Sequence, residues 1–446
     1  MHPEIAATFK QALQEAIPIV REQLAICAEP FFICKRKIGE PNSSAWHGTT
    51  IQSPNWDRIA LATMSKIFNI AKSFGEALNK HWPNFGQPVT LGRVTRLYGH
   101  GGQMEIMNAA LRLLYERHNT LDLQEKDITD VVAEFERFVD GNRIPVAYHA
   151  HLVNFEMSCS HIDLADSVTI RRLTDAELTD INGGFRGMQP FLNQKRGDCA
   201  LSCYQEEEQD FANGIPRGRG SSDAAQPSHS VLTQIARGNR IVGDKFDRAV
   251  TALRTFKAGY VGYEKICGTA MTFCPLNVGE YGHSDLFIPL GHYSISESEA
   301  TVLAGHSKAM HAVRDSAMQM ACRRLADAET RLHDEDRLVD AVIGLEAWLL
   351  TDGNRSELSY RFALNYSTLG TTPAERYELY QRARTLYSLR SSIAHGGEPA
   401  TSSQPLSDEA KSACEMLRAV ILRFLSVAST KLPKDYWLNR VLGVSQ

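Results

Sequence analysis

Arg390 and His395 are the residues of this chain whose types and placement invite chemistry. They stand in Leu386-Tyr-Ser-Leu-Arg-Ser-Ser-Ile-Ala-His395-Gly-Gly, near the end of a segment with helical periodicity. At about 100° per residue, Ala383, Leu386 and Ile393 fall within about 40° of Leu379 and form one apolar stripe. Arg390 falls inside that stripe, about 20° from Leu379, where a core leucine would ordinarily sit. His395 lies roughly 140° around the helix from Arg390, just before Gly396-Gly397, a pair that reads as a helix stop.

A guanidinium on a buried face needs an anionic partner, because an unpaired buried charge costs several kcal/mol. The chain offers one. In Leu338-Val-Asp-Ala-Val-Ile-Gly-Leu-Glu346-Ala-Trp-Leu-Leu350 an apolar stripe runs through Val339, Val342 and Leu349, and Glu346 falls within it. Two misplaced charges of opposite sign are most simply explained by facing each other. Such a pair would orient the Arg390 fork while leaving part of it for an anion such as phosphate. The same pattern also suits a purely structural ion pair that sets helix register, and a His that merely favours the negative end of a helix dipole.

The elements that must position these residues are helical. From Ser294 onward the spacing predicts helices over about 296–330, 334–351, 355–368, 373–394 and 406–428. Ser296-Glu-Ser-Glu, Thr372-Pro373 and Ser407-Asp-Glu are the start signals. Upstream, residues 1–30 predict a helix with Phe9, Leu13, Ile17 and Val20 on one face. Residues 56–80 predict another through Ile59, Met64, Ile67, Ile70 and Phe74, followed by 103–118 and 125–139. Gly99-His-Gly-Gly102 lacks the Lys-Ser/Thr of a phosphate loop and reads as a turn.

Near residue 140 the texture changes. Val146, Tyr148, Ala150 and Leu152 alternate as in a strand, and 168–173 predicts a second. Residues 182–228 are rich in Gly, Pro, Ser and charge and read as a long loop. Strands are expected again near 229–237 and 260–274, around a helix at 244–257. The expected class is therefore α+β and predominantly α. The expected division is a helical region over 1–138, an α+β domain over 139–293 with the loop 182–228, and a helical bundle over 294–446.

Composition narrows the classes. The formal charge of −4 over 446 residues carries no overall nucleic-acid signature, so any RNA contact must come from a local patch. Arg355, Arg361, Arg376, Arg382, Arg384 and Arg390 supply one, although a solvated helix face explains such a run equally simply. Nine cysteines, an odd number scattered along a long chain, point away from a disulfide framework and toward a reducing, cytoplasmic setting. The first 30 residues carry no signal-peptide pattern, and no apolar run approaches the ~20 residues of a membrane span. Cys199-x3-Cys203 and Cys159-x-His161 offer metal-ligand types, but not the spacing of a known finger or ribbon. His149 and His151 share a strand face and read as surface residues of an edge strand.

Longer matches add to this reading. Ala341-Val-Ile-Gly-Leu-Glu-Ala-Trp-Leu-Leu350, Glu357-Leu-Ser-Tyr-Arg-Phe-Ala-Leu364 and Leu386-Tyr-Ser-Leu-Arg-Ser-Ser-Ile-Ala-His-Gly396 follow one another in order. Together they resemble the ApeA-like branch of HEPN proteins, whose R-x4–6-H motif matches Arg390-x4-His395. Ile162-Asp-Leu-Ala-Asp-Ser-Val-Thr-Ile-Arg-Arg-Leu-Thr-Asp-Ala-Glu177 and Ala249-Val-Thr-Ala-Leu-Arg-Thr-Phe-Lys-Ala-Gly259 resemble that family's amino-terminal region. The resemblance covers about residues 140–430; residues 1–135 match nothing named.

The resemblance implies a HEPN-type helical bundle that forms a homodimer and brings two Arg/His pairs to one cleft. It implies metal-independent RNA cleavage without a cofactor, and a toxin-like role in antiphage defence by abortive infection, with a phage-derived trigger as a partner. Residue by residue, Arg390 and His395 become the catalytic pair and Glu346 the acidic residue of the earlier helix. Ser391 stands where many members have Asn or another polar residue. The residue types suit the reaction. RNA carries a 2′-OH beside each phosphodiester; a His moves protons to or from that hydroxyl or the leaving 5′-oxygen; an Arg neutralises charge on the phosphoryl group. The residues upstream of 291 would then govern substrate choice or activation. Two other classes stay open: a catalytically silent HEPN-type module for dimerisation and RNA or partner binding, and a metal-dependent hydrolase using the Cys and His residues.

Overall fold

The computed structural model describes residues 1–36, 46–82, 88–91, 94–97, 102–141, 143–174, 177, 198–208, 229–274, 280–281, 293–351, 356–396, 405–429, 432–433 and 435–444. The described chain is mainly helical with a smaller β component, and it separates into two units, each discontinuous in sequence. Unit 1 comprises Met1–Leu152, Arg171–Lys245 and Tyr263–Asp285; unit 2 comprises Val153–Ile170, Phe246–Gly262 and Leu286–Gln446. The expected boundary after residue 138 falls inside unit 1, and the one after 293 falls inside unit 2. No described helix is long and apolar enough to cross a membrane.

Unit 1 opens with α1 (Pro3–Ile26). It starts as its sequence dictates, with His2 as the N-cap and Pro at the first turn. Phe9, Leu13, Ile17 and Val20 are all buried on one face, as their spacing predicts. Strands β1 (Ala28–Arg36) and β2 (Trp46–Pro54) pair antiparallel, with Phe32 opposite Thr50. β3 (Pro88–Leu91) and β4 (Val94–Leu97) form a second pair. These pairs add strands to residues 1–138, which the sequence reads as a helical region. Glu-Pro-Phe-Phe-Ile-Cys at 29–34 is a run too short and too dense in aromatic and β-branched residues to make an amphipathic helix.

The helix expected over 56–80 is two helices, α2 (Trp56–Ile70) and α3 (Lys72–His81), meeting at Ala71. Ile59, Ile67 and Phe74 are buried, whereas Met64 is exposed. α4 (Gly102–His118) and α5 (Glu125–Asp140) follow; residues 99–101 of the glycine-rich turn lie outside the described residues. The core of this unit is aromatic. Phe9 stacks on Phe74 at 4.8 Å between ring centres and tilts against Phe135 at 4.9 Å, which meets Phe273 edge-on at 5.4 Å.

A separate six-stranded sheet is made of β5 (Arg143–Val153), β7 (His161–Asp163), β8 (Thr169–Arg172), β9 (Cys199–Glu208), β10 (Gly262–Ala270) and β11 (Glu280–Tyr281). Their order is β11-β10-β5-β9-β8-β7. β5 and β9 are antiparallel, with His149 opposite Ser202 and Tyr148 opposite Cys203. Two expectations are corrected here. Residues 199–208, read as part of a loop over 182–228, form β9; residues 182–197 and 209–228 lie outside the described residues. Residues 229–237, read as a strand, open the long helix α6 (His229–Phe256). Val242, Phe246, Val250 and Leu253 are buried at helical spacing, so the helix expected from 244 extends amino-terminally past the run read as β.

Unit 2 holds β6 (Phe155–Met157), parallel to β12 (Tyr293–Ile295). It also holds the bundle that carries Arg390, built from α7 (Glu297–Ala312), α8 (Ser316–Ala328), α9 (Asp334–Leu349), α10 (Leu358–Ser367), α11 (Pro373–Ala394), α12 (Leu406–Phe424) and α13 (Tyr436–Leu442). Ser296 caps α7 in a capping box with Glu299, and Thr372 caps α11 with Glu375. The single helix expected over 296–330 is divided at Val313–Asp315, where Asp315 caps α8 by accepting from the amides of Ala317 and Met318. Leu345, Trp348, Phe362, Leu386, Leu417 and Phe424 are among the buried residues of the shared core.

Gly344 lets α9 and α12 approach closely. A Cβ there would stand 2.5 Å from Leu417 Cδ2 and 3.1 Å from Arg324 Cβ. Gly→Ala inside a helix ordinarily stabilises by up to about 1 kcal/mol. Here the sign is expected to reverse, with Gly344→Ala costing about 1–3 kcal/mol through overpacking. The check is the thermal midpoint by scanning calorimetry. A rise would contradict the close-approach account, and Leu417→Ala in the same chain should recover part of the loss.

Candidate functional site

Glu346 lies in the last turn of α9 and Arg390 just before the last turn of α11. Both stand in apolar stripes for the reason read from spacing: α9 and α11 pack side by side, and each stripe faces the other helix. Arg390 Nη2 donates to Glu346 Oε2 at 3.3 Å. The contact is single and longer than the ~2.7–2.9 Å of a strong charge-assisted bond. The side chains keep 26% and 19% of their surface, so the pair is half-buried rather than enclosed. Burial lifts the Glu346 carboxyl above its ordinary 4.5, and the attraction of Arg390 only partly offsets it. Arg390 Nε is itself buried and makes no hydrogen bond among the described residues. The fork is therefore only partly committed to Glu346.

Tyr387, one turn before Arg390, completes this corner. Its phenol is raised by burial first and next by the Glu346 charge, with Arg390 opposing. Its ring packs on Phe362 at 5.4 Å between centres. Sequence reading missed it, because a tyrosine beside an apolar stripe reads as ordinary core. Its position three residues from an anomalous arginine is the signal that would have found it.

His395 terminates α11. Its backbone N–H donates to the Ser391 carbonyl at 3.2 Å, and Gly396 follows at φ +70°, the left-handed conformation that ends helices and favours glycine. The His395 ring is exposed, on a different face of the helix from Arg390. Ser391 is half-buried. Among the described residues, no side-chain hydrogen bond or ion pair joins His395 or Ser391 to the Glu346–Arg390 pair. The fold thus brings Glu346 and Arg390 together with Tyr387, and holds His395 at the end of the same helix.

Glu346→Gln tests the energetics of the pair. Loss of a fully enclosed pair costs about 3–5 kcal/mol. This pair is loose and half-exposed, so the expected loss is about 1 kcal/mol or less. The sign with pH follows from the raised carboxyl. The native state holds that proton more tightly than the unfolded chain. The group's contribution is therefore full below about 4.5 and is lost as pH rises through the higher native value. Glu346→Gln should flatten that part of the stability–pH curve in denaturant titrations. A loss of several kcal/mol with an unchanged pH profile would contradict this picture.

The arginines grouped in the sequence have different fates. Arg382 pairs with the buried Glu409 at 2.6 Å, and Arg376 Nε donates to the Gly370 carbonyl. Arg361 reaches the Ser356 carbonyl. Arg384 is exposed, its guanidinium 5.9 Å from the centre of the Tyr380 ring. Arg355 lies outside the described residues.

The other sequence candidates sit differently from their expected places. His149 and His151 are not on an edge: β5 lies between β10 and β9, and both rings are buried. His149 Nδ1 is 3.0 Å from Ser202 Oγ, and the Arg171–Glu177 pair lies alongside. Burial first, and then Arg171, pushes His149 down to about 4, so the ring is neutral at physiological pH. Cys199 and Cys203 are buried on β9 in unit 1, while Cys159 and His161 belong to unit 2. One group with metal-ligand spacing was not foreseen: His2, Glu4 and His81. Lys80 Nζ bonds Glu4 at 2.7 Å and His81 Nε2 at 2.6 Å, and the two hold its carboxyl down at about 2, so it reads as an ion-pair knot at the start of α1.

No protein-family model, no curated protein and no solved structure matches this chain.

Proposed function

We propose that this chain is a HEPN-type endoribonuclease that cleaves RNA without a metal, through attack of the 2′-OH on the neighbouring phosphodiester. The observation that carries the reading is the corner of Glu346 and Arg390, with a partly uncommitted guanidinium and an exposed His395 at the end of the same helix. In this reading the 2′-oxygen bonds to phosphorus, the 5′-oxygen leaves, and His395 transfers a proton to or from one of them. Arg390 neutralises the charge that builds on the phosphoryl oxygens, while Glu346 limits the rotamers of its fork. The products are a 2′,3′-cyclic phosphate and a 5′-hydroxyl.

Because Arg390 and His395 point about 140° apart on one helix, the reading includes a homodimer in which two copies share a cleft. It also includes the antiphage, abortive-infection role that the sequence resemblance implies. The test is incubation of the full chain with RNA in EDTA, followed by end analysis. Cleavage that leaves 5′-hydroxyl ends, blocked by a 2′-deoxy sugar at the scissile position, supports the reading. Cleavage that stops with EDTA or leaves 5′-phosphate ends discards it. A monomer of full activity in the ultracentrifuge removes the shared cleft.

The second reading is a catalytically silent HEPN-type module that binds RNA or a partner. The divergent faces of Arg390 and His395 within one chain favour it. RNA that is bound and never cut, by a chain with both residues intact, would establish it.

A further inference from the structure

We propose that the exposed face of α11 is a track for single-stranded RNA, leading from His395 to a nucleobase-stacking platform made by Tyr377, Tyr380 and Tyr360; this rests on the nuclease reading. Taking Pro373 as the origin at about 100° per residue, Tyr377, Tyr380, Arg384, Ser388, Ser391 and His395 all fall within about 40° of one line near 20°. That line is on the side away from Leu379, Leu386 and Arg390. A site at His395 therefore has a continuous outward extension along its own helix.

On this line Tyr377, Arg384, Ser388 and His395 are exposed, Tyr380 and Ser391 are half-buried, and their types are those that hold a single strand. Tyr377 keeps 65% of its surface and Tyr360 keeps 51%. Tyr360 meets Tyr380 edge-on at 6.2 Å between ring centres, and Arg384 sits 5.9 Å from the Tyr380 ring. Tyr360 and Tyr380 make a partly exposed aromatic pair with a guanidinium beside it, and the exposed Tyr377 stands one turn before Tyr380 on the same line. Base–aromatic stacking accepts any base, because every base has a π-face, and Arg adds cation–π contact and phosphate affinity. Charge complementarity points the same way. The only carboxylates of α11, Glu375 and Glu378, fall about 120° or more from the line, and Glu375 is already engaged by the Thr371 and Thr372 amides. Between the rings and His395, Ser388 and Ser391 are small enough to let a backbone pass.

The length fits an oligonucleotide. From His395 to Tyr377 is 18 residues, about 27 Å of helix. At a stacked rise of ~3.4 Å per nucleotide this holds about eight nucleotides, and fewer when the strand is stretched. The track therefore predicts recognition of unpaired RNA by length and stacking rather than by sequence.

The test uses full-length protein carrying His395→Ala, so that RNA stays intact, and two fluorescein-labelled unstructured RNAs of ten and three nucleotides. Fluorescence anisotropy gives the affinities. The double variant Tyr377→Ala/Tyr360→Ala is expected to weaken binding of the ten-nucleotide RNA about tenfold or more and to leave the three-nucleotide RNA unchanged. Tyr377→Phe/Tyr360→Phe should keep affinity, since the ring and not the hydroxyl does the stacking. Arg384→Ala should weaken binding and reduce its salt dependence. Both tyrosines are exposed, and circular dichroism checks that the variants fold. Equal affinity for the ten-nucleotide RNA in the alanine double variant, while the unmutated chain still cuts RNA, overturns the track and leaves the nuclease reading standing. A double variant that changes only the oligomeric state in the ultracentrifuge makes the face a protein interface and also overturns it. If the unmutated chain neither binds nor cuts RNA, the nuclease reading fails and the track fails with it.

Discussion

His395→Ala is expected to lower RNA cleavage by about 10²–10⁴-fold, the ordinary contribution of one positioned acid–base group. The expectation rests on the placing of the ring as well as its type. His395 caps α11, so the imidazole stands at the carboxyl end of that helix, clear of the packed face and open to substrate. The ring is exposed and lies outside the shared apolar core, so its removal should leave the thermal midpoint within about 0.5 kcal/mol of the parent. That separation makes the result informative, because activity should fall while the fold stays. Arg390→Lys should fail to restore full activity for a different reason. An ammonium cannot hold both Glu346 and a phosphoryl oxygen in one plane. Full cleavage by purified His395→Ala protein, in the presence of EDTA, would remove His395 from the mechanism.

The largest expected loss of stability lies elsewhere in the same bundle. Glu329 ends α8, and its side chain is almost wholly enclosed. It accepts from Arg418 of α12 and, at 3.2 Å, from Arg337 of α9. One carboxylate therefore ties three helices together. Glu329→Gln removes the counter-charge from a guanidinium that keeps 9% of its surface and from another that keeps 26%. The expected cost is about 3–5 kcal/mol, because the stranded charges stay desolvated. Urea titration should show a lower midpoint with an unchanged slope. Adding Arg418→Met to Glu329→Gln should recover much of the loss, since an apolar side chain of similar length leaves no stranded charge. A midpoint that does not move in Glu329→Gln would mean that water reaches this cluster.

Legibility along the chain followed how local each decision was. The helix bearing Arg390 was readable to its ends, because Thr372-Pro373 and His395-Gly396 are punctuation that acts within a few residues. Strand β9 was not, because ten residues embedded in Gly- and charge-rich sequence become a strand only through pairing with β5, a partner about fifty residues away. The histidines of β5 show the same limit. His149 and His151 alternate as surface residues do, but β9 and β10 cover both edges of their strand, and Ser202 and Arg171 supply the polar contacts that allow His149 to be buried. Met64 is exposed because it lies about 140° from Ile59 on α2, while the end of that helix at Ala71 depends on packing that the periodicity across 56–80 does not record.

By itself the sequence marked Glu346 and Arg390 as a pair to expect, since neither charge suits an apolar stripe alone. It also determined where α11 stops and which face His395 occupies, because helix geometry converts residue spacing into angle. Only the tertiary structure decided how tightly the pair closes. It is a single 3.3 Å contact with a raised carboxyl and one guanidinium nitrogen uncommitted, because the depth of burial depends on α10 and on Tyr387 packed against Phe362. It also decided that the outer face of α11 leaves Tyr377 and Arg384 exposed, since among the described residues no neighbouring helix covers them. Angles along one helix are intrinsic to the chain, whereas burial depends on which other segments arrive, and contacts between distant segments carry no local mark.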